Sequence, residues 1–310
     1  MKVIATTSQS VLVVDCSTGR GSVLHRGSGL YYGIARIESG FAIAARRRLV
    51  SSLVPRPDER GCILVFDGNF RESSVLEAPF PLRDVHQIAW FDRRLWVTCS
   101  HDDQIAIWDG VGWERWLPEG TSATDGDSVE PDRYHYNSFY AAGDEFAVVA
   151  HNHGPSIVHF FGVGTRSWRR SMPLGNQAHN LWREGDAYVT CSSIEGRLVA
   201  DTGWELRTGG FPRGVACTSS ERAIGISALR ERGQRDWMSA AIAIYDTSWR
   251  LSHYVHLVRE GMLLDLEPIP DTEFVAAETM AIEAFRSPIL TTLSAADLQE
   301  GQDSSGNESR

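Results

Sequence analysis

The sequence contains a single lysine, Lys2, so arginine carries almost all of its positive charge. The formal net charge is −10. Binding along a nucleic-acid backbone needs a concentrated basic surface, so this balance excludes nucleic acid as the main partner. No run of 18 apolar residues occurs, which argues against a membrane helix. No basic stretch leads into an apolar one at the start, so no signal peptide is expected. The five cysteines form no Cys-x-x-Cys pair. We expect all five to be reduced and the protein to be cytoplasmic. No Gly-rich phosphate loop, Gly-x-Ser-x-Gly or His-Glu-x-x-His occurs. Helical periodicity is missing as well, which excludes a parallel α/β sheet with its crossover helices.

What the chain does have is a repeat. Asp84-Val85-His86-Gln87-Ile88-Ala89-Trp90 is followed by Leu95-Trp96-Val97-Thr98-Cys99-Ser100. Similar pairs of segments recur around Tyr32, His135, His179, Arg213 and Asp265, about every 47 residues. That period is in the range of propeller blades. Within the unit led by His86, residues 86–91, 95–100, 104–109 and 113–117 are four short β-rich runs separated by turn residues. The expected fold is therefore all-β: a single β-propeller over residues 1–290, with six four-stranded blades. Five or seven blades remain open. The N-terminal runs should complete the final blade, whose other strands include 274–278. The polar stretch 294–310 is expected to be disordered.

The repeat resembles six-bladed propellers of the NHL, gluconolactonase-like and virginiamycin-lyase-like kind. In that architecture the first strand of each blade lines the central channel. The start of that strand and the loops joining second to third strands share one rim. The resemblance thus implies that His86, His135 and His179 converge at one end of the channel. Tyr32, Arg213 and Asp265 or Glu267 hold the equivalent places in other blades. Counting back from the second strand makes Asn137 the true equivalent of His86, with His135 two residues earlier. The long segments 46–60, 118–133 and 229–237 should project from the same rim, where loops of this length are often functional. His101, His151, His153, Asn137 and Asn180 are expected at the pocket rim. His25, His159, His253 and His256 fall elsewhere and read as structural. Arg46-Arg47-Arg48 reads as a solvated loop, with an anionic-ligand clamp as the alternative.

Three neutral imidazoles suit a divalent transition metal such as zinc, iron or copper. The set also resembles, in residue type, that of the peptidyl-hydroxyglycine amidating lyases, which hold zinc with three histidines aided by a tyrosine and an arginine. The expected function is a metal-dependent lyase or hydrolase acting on a small anionic or peptide-like substrate. His86, His135 and His179 would bind the metal and Arg213 an anionic group, while Tyr32, Asp265 or Glu267 would move the proton. Two alternatives stand beside it. One is a metal-free acid/base enzyme, a cyclase or isomerase. The other is a binding module for a protein or glycan. The sequence does not set the oligomeric state.

Overall fold

The computed structural model describes residues 1–118 and 132–286, and the backbone of 289–290. The stretch 294–310 and most of the loop 118–133 lie outside the described residues. Six antiparallel sheets form six blades, each ordered strand by strand from the channel outward. Blade I covers 31–76, blade II 85–116, blade III 136–176, blade IV 178–207 and blade V 211–257. Blade VI takes its inner strand from Leu263–Ile269 and its next three from Lys2–Thr7, Ser10–Asp15 and Arg20–Arg26. The ring therefore closes by pairing the end of the chain with its start, Ile269 opposite Lys2 and Asp265 opposite Thr6. That pairing seals the ring by backbone hydrogen bonds within blade VI. Blades V and VI each gain a fifth strand at the outer edge, Ile289–Leu290 and Glu283–Arg286 respectively.

The sequence pattern explains the packing. Each sheet is covered on both faces by neighbouring blades, so its middle strands are apolar without alternation. Val11, Leu12, Val13 and Val14 are all fully buried, as are Phe146 through Ala150. Trp96, Phe146, Phe161 and Trp116 stack and cross at ring separations of 5.0–6.0 Å between blades II and III. Such aromatic pairs add to simple area burial.

The segment expected as a strand at 274–278 is instead part of an α-helix, Asp271–Met280. Pro270 precedes it, and Asp271 and Glu273 occupy its first turn, where negative charge suits the helix dipole. Phe274 and Ala277, three residues apart on one face, bury against blade VI. Short apolar runs do not distinguish helix from strand by hydrophobicity alone.

One irregularity positions the site. In all six inner strands the pairing skips beside the channel: Val85 pairs with Cys99 but Ile88 with Val97, His179 pairs with Cys191 but Leu181 with Thr190, and Asp265 pairs with Thr6 but Leu263 with Thr7. The same happens at Tyr31/Ile34, Tyr136/Ser138 and Pro212/Val215. A bulge re-aims side chains and frees backbone groups. The unpaired residues include Tyr32, His86, Asn137, Asn180 and Arg213. Hydroxyls from nearby strands and turns donate to carbonyls at these bulges: Thr6 to Tyr32, Thr98 to Gln87 and Thr190 to Asn180. The freed acceptors are thereby satisfied. Gly214 has φ +76°, and a Cβ there would sit 2.8 Å from Asp265 Cα, so glycine is required.

Candidate functional site

A cavity of about 600 Å³ opens at the rim formed by the inner-strand starts. Its lining includes five histidines, six arginines and two aspartates. Tyr32, His86, His135, His151 and His153 form a chain of rings. The centroid separations are 4.5 Å for Tyr32–His86, 4.9 Å for His86–His135, 4.7 Å for His135–His151 and 4.8 Å for His135–His153. Residues separated by 54 and 49 positions in the chain thus meet on one face, as the blade geometry requires.

The three expected metal ligands do not stand at one level. His86 lies on its bulge inside the channel. His135 precedes its inner strand, Tyr136–Ala142, at φ +51°, and so stands above the level of Asn137. His179 lies beneath the cavity floor, beside a void of about 10 Å³ shared with Asn137, Asn180 and Asp265. A void of that size holds about one water. His86 and His179 stack at 5.9 Å, and His151 bridges His135 to His179. Among the described residues, the donor groups within 4.8 Å of one another are Asp84, His86 and His135, and separately Asp132, His135 and His153. His179 belongs to neither set.

Hydrogen bonding assigns the lone pairs. His135 Nδ1 meets the Asp132 carboxylate, so it carries the proton and leaves Nε2 as an acceptor. His179 Nδ1 meets the Gln177 carbonyl at 2.9 Å, which leaves its buried Nε2 as an acceptor with no partner. His86 Nε2 faces Asp84 Oδ1 at 3.3 Å, which frees Nδ1. Burial pushes the His86 imidazole down to about 3, and burial also drives His151 and His179 well below the usual histidine range. These rings are neutral at physiological pH, the state that ligates metals and accepts protons.

A buried charge network holds the rings in place. Arg46 clamps Glu59 with Nε 2.7 Å from Oε1, and also pairs with Asp84. Arg56 pairs with Asp84 and lies 3.3 Å from Asp132. Burial alone would raise the Asp84 pKa; Arg46 and then His86 outweigh it and hold the carboxyl well below its ordinary range. Asp103 accepts hydrogen bonds from the backbone N–H groups of Arg133, Tyr134 and His135 and so fixes the turn into His135. The Arg46-Arg47-Arg48 segment is thus not a solvated loop. Arg46 is buried, Arg48 reaches Glu59 at 3.3 Å, and only Arg47 is exposed. Glu59, Asp84, Asp103 and Asp132 carry no motif in the sequence. The signals were positional: Asp84 stands just ahead of the strand that carries His86, and Asp103 closes the turn that holds His101.

The remaining expected residues divide clearly. Tyr32 and Arg213 line the cavity. Arg213 is half-buried, packs over Phe211 at 4.9 Å, and leaves its buried Nε without a partner. Asp265 sits one layer below, in the channel, where its oxygens accept from Ile34 N, Leu266 N and Asn180 Nδ2. Burial raises it to about 7 despite the Ile34 and Leu266 N–H groups. Glu267 does not reach the cavity; it pairs with Arg36 at 3.0 Å, which also binds Glu273 of the helix. Asn137 and Asn180 are pegs inside the channel and not rim residues: Asn137 donates to Ala178 O, and Asn180 bridges Asp265 and Gly214 N. His101 lines the cavity with its buried Nδ1 unpartnered. His151 and His153 lie in the turn after Glu145–Ala150 and not on a strand, with His153 at φ +50°. His25, His159 and His253 bond Tyr31, Ser171 and Cys16 respectively, away from the cavity.

No protein-family profile matches the chain, and no curated protein sequence does. Solved structures do share its fold. A chain of a nidogen–laminin complex aligns over 86% of this chain and 97% of its own length, with TM-score 0.60 and 10% identity. A putative 6-phosphogluconolactonase from Bacteroides uniformis aligns over 84% of this chain and 94% of its own, with TM-score 0.50 and 10% identity. An inactive variant of virginiamycin B lyase from Staphylococcus aureus aligns over 72% and 76%, with TM-score 0.46 and 11% identity. The chain is a six-bladed β-propeller of the same general kind. At these identities the likeness concerns the fold alone.

Proposed function

We propose that this propeller is an enzyme of lyase or hydrolase type that acts on a small anionic substrate and depends on a divalent metal. One observation carries the reading: a packed set of imidazoles, of which burial keeps His86 and His151 neutral, shares one cavity with six guanidinium groups in a chain of net charge −10. One buried imidazole is easily a structural feature; five around an open cavity, with acceptor nitrogens left free on His86 and His135, fit a site built for ligands.

The donor chemistry supports a metal. His86 and His135 each keep one acceptor nitrogen, and Asp84 lies within reach of both. These three would hold the ion. A bound ion would polarise a substrate oxygen or lower the pKa of a bound water. Asp132 orients His135, as carboxylates commonly do for ligating histidines. Arg213 would fix the anionic end of the substrate. Tyr32, in contact with the His86 ring, would deliver or take the proton. Asp265 and Glu267 are set too far down the channel for that duty.

A metal-free acid/base reading has its own support. Both oxygens of Asp84 are already engaged by Arg46 and Arg56, and the Asp132–His135 pair has the arrangement of a general base. The two readings separate on metal content. Protein purified without a histidine tag should carry about one divalent ion per chain, falling below about 0.2 in a His86→Ala/His135→Ala variant. Full activity after exhaustive chelation would overturn the metal reading and leave the acid/base one.

A further inference from the structure

We infer that Arg213, Arg232 and Arg235 form a phosphoryl-binding wall, so that the substrate is a phosphorylated small molecule. This rests on reading the cavity as a substrate pocket. All three line it, and all three belong to blade V. In a ring of six, blade V stands opposite blade II, which supplies His86.

The six lining arginines fall into two groups. Arg46, Arg48 and Arg56 are matched by Glu59, Asp84 and Asp132. Arg213, Arg232 and Arg235 form no ion pair among the described residues. Arg235 donates from Nε to the Arg230 carbonyl, which leaves its terminal nitrogens free of side-chain partners. Arg213 leaves its buried Nε unpartnered. These groups feel one another: Arg235 repels Arg213, which Tyr32 and Asp84 attract, and Arg56, Arg235 and Arg46 repel Arg232, which Asp84 attracts. An acidic chain that gathers, at one cavity wall, three guanidiniums without an ion pair among the described residues holds positive charge ready for a ligand. Three positive forks match a dianionic phosphoryl group, with its three terminal oxygens, better than a single carboxylate.

The wall is also braced. Asp236, fully buried, accepts the N–H groups of Val50 at 2.9 Å and Ser51 at 2.8 Å, which ties the blade V loop to the blade I loop. Gln9 donates to the Asp236 carbonyl at 2.7 Å, and Met262 N donates to the Arg235 carbonyl at 3.1 Å. The loop that carries Arg232 and Arg235 is thus held on both sides. Preorganised donors are what an anion subsite requires.

Calorimetry with inorganic phosphate and with glycerol phosphate, on untagged full-length protein dialysed against chelator, tests this. Both anions should bind saturably, and acetate at equal ionic strength should not. Arg232→Gln and Arg235→Gln should each weaken binding about tenfold or more, as loss of a charge-assisted bidentate contact implies. Arg47→Gln, which removes an exposed arginine outside the cavity lining, should bind phosphate like the unaltered protein. No saturable binding, unchanged binding in both arginine variants, or acetate binding as tightly as phosphate would each overturn the assignment. Arg232 is exposed, so its variant should keep the melting temperature of the parent. Metal content in the arginine variants separates the two claims: phosphate binding lost with metal retained leaves the metal reading standing. Metal absent with phosphate bound does the reverse.

Discussion

Replacing Arg46 with methionine should destabilise the whole ring. Arg46 is 4% exposed, and its partners Glu59 and Asp84 are 2% and 1% exposed. Removing one partner of a buried ion pair strands the others and costs about 3–5 kcal/mol. Here Arg48 and Arg56 remain close to the two carboxylates, so the lower half of that range is expected. The entropy of unfolding is about 2.1 cal/mol/K per residue near the melting temperature. For a chain of 310 residues, about 3–4 kcal/mol then lowers the melting temperature by about 5–6 °C. Differential scanning calorimetry measures it. Removing Glu59 as well, in Arg46→Met/Glu59→Met, should cost less than the sum of the two single changes because they share one network. An Arg46→Met variant that melts within about 1 °C of the parent would refute the claim that this network braces the site.

Other expectations follow from particular contacts. Asp265 is held near 7 in the fold against an ordinary value of 3.8, so the folded state keeps its proton more tightly than the unfolded chain. Stability should therefore be fullest below about pH 4 as far as this group is concerned, and fall as pH rises to 7, by at most on the order of 4 kcal/mol. An Asp265→Asn variant should flatten that part of a stability-versus-pH curve; a curve with unchanged slope would contradict it. Gly214→Ala, at φ +76° and against Asp265 Cα, should cost about 1–3 kcal/mol in a denaturant titration. Asp236→Ala should free the two loops, raising KM for the substrate while kcat changes less, and proteolysis at the 229–237 loop should speed up. Equal cleavage rates would argue against the latch.

The sequence carried the ring well and the site partly. The blade period and the four strand runs of the second unit fall within one residue of the strands Val85–Phe91, Arg94–Cys99, Gln104–Trp108 and Trp113–Trp116. Hydrophobic patterning and turn residues specify those directly. His86, His135, Tyr32 and Arg213 were legible because blade register brings distant positions together. Depth along the channel was not legible. Asp265 and Glu267 share a strand face by alternation, yet two residues move a side chain about 6.6 Å along the strand. That step takes Glu267 to Arg36, away from the cavity. Likewise His179 and His86 both sit at bulges, but His179 turns beneath the floor, held by Ser193 and the Gln177 carbonyl. The charge network was hidden for another reason: Glu59 and Asp84 are 25 residues apart and meet only across the blade I–blade II seam.

The most direct measurement is anomalous diffraction from crystals grown without chelator and soaked in a zinc salt, with data on both sides of the zinc absorption edge. The account predicts one strong anomalous peak in the cavity, at bonding distance from nitrogens of both His86 and His135. A cavity without a peak at saturating zinc, or a peak bound only by residues outside it, would contradict the reading of these imidazoles as a metal centre.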